Sequence, residues 1–217
     1  DNNIRAAEAT LSTEELARAR RFHFEKDRTN YLLAHGLTRL ALAKAGDCAA
    51  RDIAFDIEPH GRPYLVAPAH IARLSFNLSH TEGCIGVAIS SRGPVGFDLE
   101  FVGRRTNVLD VAPEVFTRRE LDALHALDTE ARRRRFFQLW TLKEAYLKAV
   151  GLGLGMKPTL FSFDFEDERP LFHQPAGDDD GWAFHSMAAG DRHWLAACYP
   201  DCGKAVRVFD GRLLLGG

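Results

Sequence analysis

The sequence predicts an α+β fold built as a pseudo-dimer: two similar α/β halves, each with helices packed on a small, mostly antiparallel sheet. Three observations predict it. The hydrophobic spacing switches from helical to alternating part-way along each half. A polar turn cluster, Ser90-Ser91-Arg92-Gly93-Pro94, divides the chain. The order of helices followed by strands then recurs on either side of that cluster. The halves are therefore set at residues 1–93 and 94–217, with a functional cleft expected at their interface.

The first helix is expected over residues 13–26, with Ser12 or Thr13 as its cap and Glu14-Glu15 suited to its positive end. A second is expected over 29–45, stopping at Gly46, because Leu32, Leu33, Leu37, Leu40 and Leu42 recur at helical spacing. The period then drops to two. Ile53, Phe55 and Ile57 alternate with polar neighbours, His60-Gly61-Arg62-Pro63 marks a turn, and 74–78 and 84–89 read as strands. Beyond the boundary, Val95, Phe97, Leu99 and Phe101 alternate again. Helices follow at 118–127 and Thr129–Val150, the latter ending at Gly151, then strands at 160–166, 182–187 and 193–199. The two halves show no visible likeness in sequence, so their kinship rests on layout.

Composition narrows the function. Apolar residues make up 46% of the chain and charged residues 27%, the profile of a globular protein with a packed core. A net charge of −2 argues against nucleic acid as a partner. No apolar run reaches the roughly 18–20 residues of a membrane span. Asp1-Asn2-Asn3-Ile4 has neither the basic nor the apolar region of a signal peptide, so a cytoplasmic location is expected. Cys48, Cys84, Cys198 and Cys202 lack redox or zinc spacing, and the histidines form neither HExxH nor HxH.

Three acidic pairs at i and i+2 stand on strand patterns: Asp56/Glu58, Asp98/Glu100 and Asp164/Glu166. Such a pair puts two carboxylates on one face, which suits a hard cation such as Mg²⁺. It equally suits the wet face of a half-buried strand. Context favours Asp98/Glu100, which follows Gly96 just beyond the boundary, whereas Asp164/Glu166 runs into the solvated stretch 167–170 and Asp56/Glu58 into a turn. On the last long helix Trp140, Glu144 and Lys148 share a face. There Glu144 could be a third ligand and Lys148 a phosphate partner, although a Glu/Lys pair at this spacing is also a common surface ion pair. Phe76-Asn77-Leu78-Ser79-His80-Thr81 closes a strand with a polar cluster.

Together, Gly61-Arg62-Pro63, the 76–81 segment, Val95-Gly96-Phe97-Asp98-Leu99-Glu100 and Trp140-Thr141-Leu142-Lys143-Glu144-Ala145-Tyr146-Leu147-Lys148 resemble the surfactin-synthetase-activating type of 4′-phosphopantetheinyl transferase. The resemblance implies an enzyme that moves phosphopantetheine from coenzyme A to a serine of an acyl or peptidyl carrier protein. It implies that Asp98, Glu100 and Glu144 hold Mg²⁺ against the pyrophosphate while adenosine 3′,5′-bisphosphate leaves. Glu144 becomes the general base and Lys148 the cation that steadies the departing charge. His80 becomes a catalytic phosphate contact with Ser79 beside it, and Arg62 lies near the adenosine. Arg18, Arg21, Arg28 and His35 are candidate 3′-phosphate ligands, His35 standing near where the family often has an arginine. A single chain would hold the whole site, so a monomer is expected. Two alternatives use the same residues: a Mg²⁺-dependent nucleotide pyrophosphohydrolase, and a non-catalytic coenzyme A-binding module.

Three further segments have more ordinary expectations. Gly151-Leu152-Gly153-Leu154-Gly155 follows a helix instead of preceding one, so it reads as a helix stop and loop. Arg132 to Arg135 read as a solvated basic face that could attract an acidic partner. Thr117-Arg118-Arg119-Glu120 resembles the segment before the family's carrier-docking region.

Overall fold

The computed structural model describes residues 2–59, 61–104, 107–152, 155–174, 181–203 and 206–215. The first half runs α1 (Asn2–Glu8), α2 (Thr13–Ala19), α3 (Glu25–Gly46), β1 (Ala54–Ile57), β2 (Pro63–Ala67), β3 (Ser75–Thr81) and β4 (Cys84–Ser90). The second runs β5 (Gly96–Phe101), α4 (Val108–Val115), α5 (Arg118–His125), α6 (Thr129–Val150), β6 (Ser162–Glu166), β7 (Arg169–His173), β8 (Trp182–Ala189), β9 (His193–Pro200) and α7 (Arg212–Leu215). β1–β2, β3–β4 and β6–β7 are antiparallel hairpins, and β5-β9-β8 is an antiparallel three-stranded sheet. The fold is α+β, as expected.

The first helix is shorter than expected and the second longer. Ser12 and Glu15 close a capping box on α2, and the chain turns after Ala19 so that Glu15 can reach back to His35 and Arg39 on α3. β7 and α1 have no clear alternating or helical signal, whereas α4 carries one that was passed over, Val108, Val111, Ala112 and Val115 at helical spacing behind the Asn107 cap. The acidic stretch after β6 stays exposed, but it is the tight turn of a hairpin, with positive φ at Asp167 and Glu168. Gly61 keeps its turn at φ 85°, while His60 lies outside the described residues. Gly151 ends α6 in the left-handed conformation at φ 76°, and 153–154 lie outside them too.

Each half rests on a clamp of the same design. On α3, fourteen residues after its first residue Glu25, the buried Arg39 donates through Nε to Glu15 at 2.7 Å. Its Nη1 donates to the carbonyls of Ala50 and Ile53, which lead into β1. On α6, fourteen residues after Thr129, the buried Lys143 lies 3.0 Å from Glu120. Its Nζ donates to the carbonyls of Pro158 and Phe161, which lead into β6. Glu15 and Glu120 are each the third residue of a short helix, and each completes that helix's capping box.

The arginine run is not a solvated face. Arg132 binds the Leu124 and Leu127 carbonyls, and Arg133 binds that of Val102. Arg134 covers the Trp194 ring, and Arg135 covers Phe165 while pairing with Glu168. Four consecutive side chains thus tether α6 to four other segments.

The halves meet along β3 and β5. No backbone ladder joins these strands; side chains of β3 do. Asn77 Oδ1 accepts the Phe97 N–H at 3.1 Å, and Thr81 Oγ1 accepts the Phe101 N–H at 3.3 Å. On the other flank β5 lies directly on α6. A Cβ at Gly96 would run into the Ala145 carbonyl and the Ala149 amide, so only glycine permits the approach.

Candidate active site

β5 and α6 present their acidic and basic side chains to one another because Gly96 lets them pack so closely. Asp98 is buried at 5% exposure. Its Oδ1 accepts from Lys148 Nζ at 2.6 Å and from Ser79 Oγ at 3.2 Å. Lys148 also donates to the Phe97 carbonyl at 3.1 Å. Residues from β3, β5 and α6, and so from both halves, therefore converge on one carboxylate. Asp98 Oδ2 is buried with no partner.

Glu100 lies two residues on, on the same face of β5. Arg104 Nη2 stands 2.6 Å from its Oε2. Yet that oxygen accepts no aligned hydrogen bond, because the guanidinium directs its N–H toward Thr81 Oγ1 instead. We treat the pair as an electrostatic contact. Burial pushes the Glu100 carboxyl up, the Asp98 charge adds to the push, and Arg104 and Lys148 oppose it. Glu144, half-buried one helical turn before Lys148, is raised by burial and then by Asp98, with Lys148 opposing.

Two carboxylate oxygens that accept no hydrogen bond, on one strand face next to a third carboxylate with a raised pKa, suit a hard divalent cation. Among the described residues, however, no three His, Cys, Asp or Glu side chains are gathered into a ready-made cage. A cation here would need oxygens from a ligand to complete its shell.

Two family models match the chain: the N-terminal region of 4′-phosphopantetheinyl transferase over residues 1–92, and the 4′-phosphopantetheinyl transferase superfamily over residues 94–198. A 4′-phosphopantetheinyl transferase of Paxillus involutus is 31% identical over 191 residues, 79% of this chain and 70% of the relative. The chain belongs to this family. A 4′-phosphopantetheinyl transferase of Bacillus subtilis is 28% identical over 195 residues, 89% of this chain and 84% of its own. A crystal structure of Thermotoga maritima holo-[acyl-carrier-protein] synthase aligns at a TM-score of 0.41 and 25% identity, over 48% of this chain and 61% of that one.

The remaining residues singled out from sequence are distributed unevenly in this phosphopantetheinyl transferase. His80, next to Ser79, is exposed and points to the opposite face of β3. Arg62 donates to the carbonyls of Lys148, Ala149 and Val95 at 3.2–3.4 Å. It thereby staples the first half to the C-terminal end of α6, where a cation also suits the helix dipole. Arg21 lines a cavity of about 660 Å³ with Glu14, Ala17, Arg18 and Phe22. Arg28 lies 3.5 Å from Glu8. His35 stacks on Tyr31 and shares Glu15 with Arg39.

Sequence reading passed over Arg104, Arg39 and the Lys143–Glu120 pair. The S/T-x-x-E pattern at Ser12–Glu15 and Thr117–Glu120 was the available signal for both clamps. The four cysteines are free. Among the described residues no helix is long and apolar enough to cross a membrane.

Proposed function

We propose that this enzyme transfers the 4′-phosphopantetheine group of coenzyme A to a serine of an acyl or peptidyl carrier protein, working as a cytoplasmic monomer. We further propose that Asp98, Glu100 and Glu144 hold Mg²⁺ in this reaction. The observation that carries the reading is the pair of buried oxygens that accept no hydrogen bond, Asp98 Oδ2 and Glu100 Oε2, beside Lys148 at the seam of the two halves. When bound, the cation would supply charge neutralisation for the pyrophosphate.

The chain's own residues supply the rest. The serine oxygen attacks the β-phosphorus of coenzyme A, and the bond from that phosphorus to the bridging oxygen of the α-phosphate breaks. The bridging oxygen leaves with the electron pair as part of adenosine 3′,5′-bisphosphate. Glu144, with its carboxyl raised by burial and no hydrogen-bond partner among the described residues, takes the serine proton. Lys148 meets the charge that grows on the leaving group. Ser79 keeps Asp98 in place from the other half.

Arg18, Arg21 and Arg28 supply the cations proposed for the 3′-phosphate; the cavity beside Phe22 supports Arg18 and Arg21, while Arg28 stands by Glu8. His80, exposed and without a hydrogen-bond partner among the described residues, is kept as the phosphate contact. Arg62 and His35 are already bound to carbonyls and to Glu15, so their proposed roles near coenzyme A reduce to supporting the frame. Incubation with coenzyme A, Mg²⁺ and an apo carrier protein tests the whole reading. The expected result is a carrier heavier by one phosphopantetheine; hydrolysis of coenzyme A without carrier modification would overturn it.

A further inference from the structure

Each strand carboxylate of the site already has a cation. Lys148 Nζ lies 2.6 Å from Asp98 Oδ1, and Arg104 Nη2 lies 2.6 Å from Glu100 Oε2. Three carboxylates therefore face two resident positive charges. A divalent cation arriving alone gains little from such a group. It meets Arg104 at Glu100 Oε2 and Lys148 on the other oxygen of the Asp98 carboxylate, and among the described residues no cage of three protein ligands waits for it. A pyrophosphate changes the balance. It brings additional negative charge, and it offers Lys148 a partner on a side chain that is still 30% exposed and long enough to swing.

We infer that Lys148 and Arg104 are resident counter-ions that exclude the divalent cation until coenzyme A arrives, so that cation and coenzyme A enter as a coupled pair. This rests on the metal reading given under Proposed function. Lys148 then has two successive partners: Asp98 in the ligand-free enzyme and phosphate in the loaded one. Because binding free energies are reciprocal, the cation must strengthen coenzyme A binding by the same factor as coenzyme A strengthens that of the cation. Removing the ammonium breaks the coupling from the protein side, by opening Asp98 to the cation in advance.

Manganese serves as the probe, with the free ion followed by electron paramagnetic resonance. Titrations use wild type, Lys148→Met, Lys148→Arg and Arg104→Met, each with and without coenzyme A. Without coenzyme A, Lys148→Met should bind Mn²⁺ roughly tenfold more tightly than wild type, since a like charge in contact with the ligand carboxylate has gone. Lys148→Arg should stay as weak as wild type, because the charge remains. Coenzyme A should tighten Mn²⁺ binding by wild type far more than by Lys148→Met. Should Lys148→Met fail to fold by circular dichroism, Arg104→Met carries the same test at Glu100. Equal Mn²⁺ affinity for wild type and the charge-removing variants, with binding intact in the presence of coenzyme A, overturns the exclusion and leaves the metal reading standing. No Mn²⁺ binding in any arm overturns the metal reading, and this inference with it.

Discussion

The helices α3 and α6 occupy the same place in their respective halves and do different work. Both span 22 residues and end in a left-handed residue, Asp47 or Gly151, eight positions beyond the clamp cation. In both, the cation ties a capping-box glutamate to the chain entering the first hairpin. The difference starts one residue later. Leu40 follows Arg39 on α3, and Glu144 follows Lys143 on α6; five residues after each clamp stand Lys44 and Lys148. The frame is repeated, but the chemistry sits on one copy only. Its missing carboxylates come from β5, which leads from the first half into the second. A repeated frame needs only a cap, a glutamate, a buried cation and a stop, so two halves can share it with little sequence in common.

The comparison breaks first if the two helices prove equally important for turnover. Glu144→Ala and Asp98→Ala should each lower carrier modification roughly a thousandfold or more while the fold persists, the loss expected for a metal ligand or base. Leu40→Ala should reduce it only in proportion to lost stability. Single-turnover assays, with circular dichroism as the folding check, decide between them.

The clamps themselves should be alike. Removing one partner of a buried ion pair costs about 3–5 kcal/mol because the other charge is stranded, so Arg39→Met and Lys143→Met should both lower the urea midpoint strongly. A large loss for one and a small loss for the other would end the idea of twin clamps.

Acid should weaken the first clamp. Burial alone would raise the Glu15 carboxyl, but hydrogen bonds from His35, the Ser12 amide and Arg39 outweigh it and bring it down to about 2 from 4.5. The folded value is the lower one. Its stabilising contribution is therefore complete above pH 4.5 and disappears as pH falls toward 2, a loss of roughly 2–3 kcal/mol. Denaturation midpoints measured between pH 6 and pH 3 should show this decline, and Glu15→Gln should flatten it.

The smallest effect belongs to Asp56, which shares the acidic spacing of Asp98 without its setting. It is exposed and touches only the Tyr64 hydroxyl and the next amide. Asp56→Ala should change stability by no more than about 0.5 kcal/mol and leave transfer untouched.

Much of this was legible in the sequence because it was written in periodicity. α6 appears at its expected bounds, since Asp128 accepts the Glu130 and Ala131 amides at one end and Gly151 turns left-handed at the other. β5 alternates in sequence, and β9 is an apolar run of strand length. Three things were not legible, each for a physical reason. The break between α2 and α3 accompanies contacts of Glu15 with residues twenty or more positions away, which no local window contains. The arginine run looks like a charged surface because carbonyl acceptors and ring faces leave no trace in sequence. Lys148 was placed beside Glu144 by helical spacing, but its actual partner, Asp98, lies on another element.

The side-chain seam has one more consequence. β5 is the outer strand of its sheet, and an outer strand with free amides invites a strand from another molecule to add to it. Here Asn77 and Thr81 take up two of those amides without extending the sheet. The same contacts that join the halves thus act as insulation, protecting the catalytic strand from self-association while its carboxylates face Lys148 and Arg104.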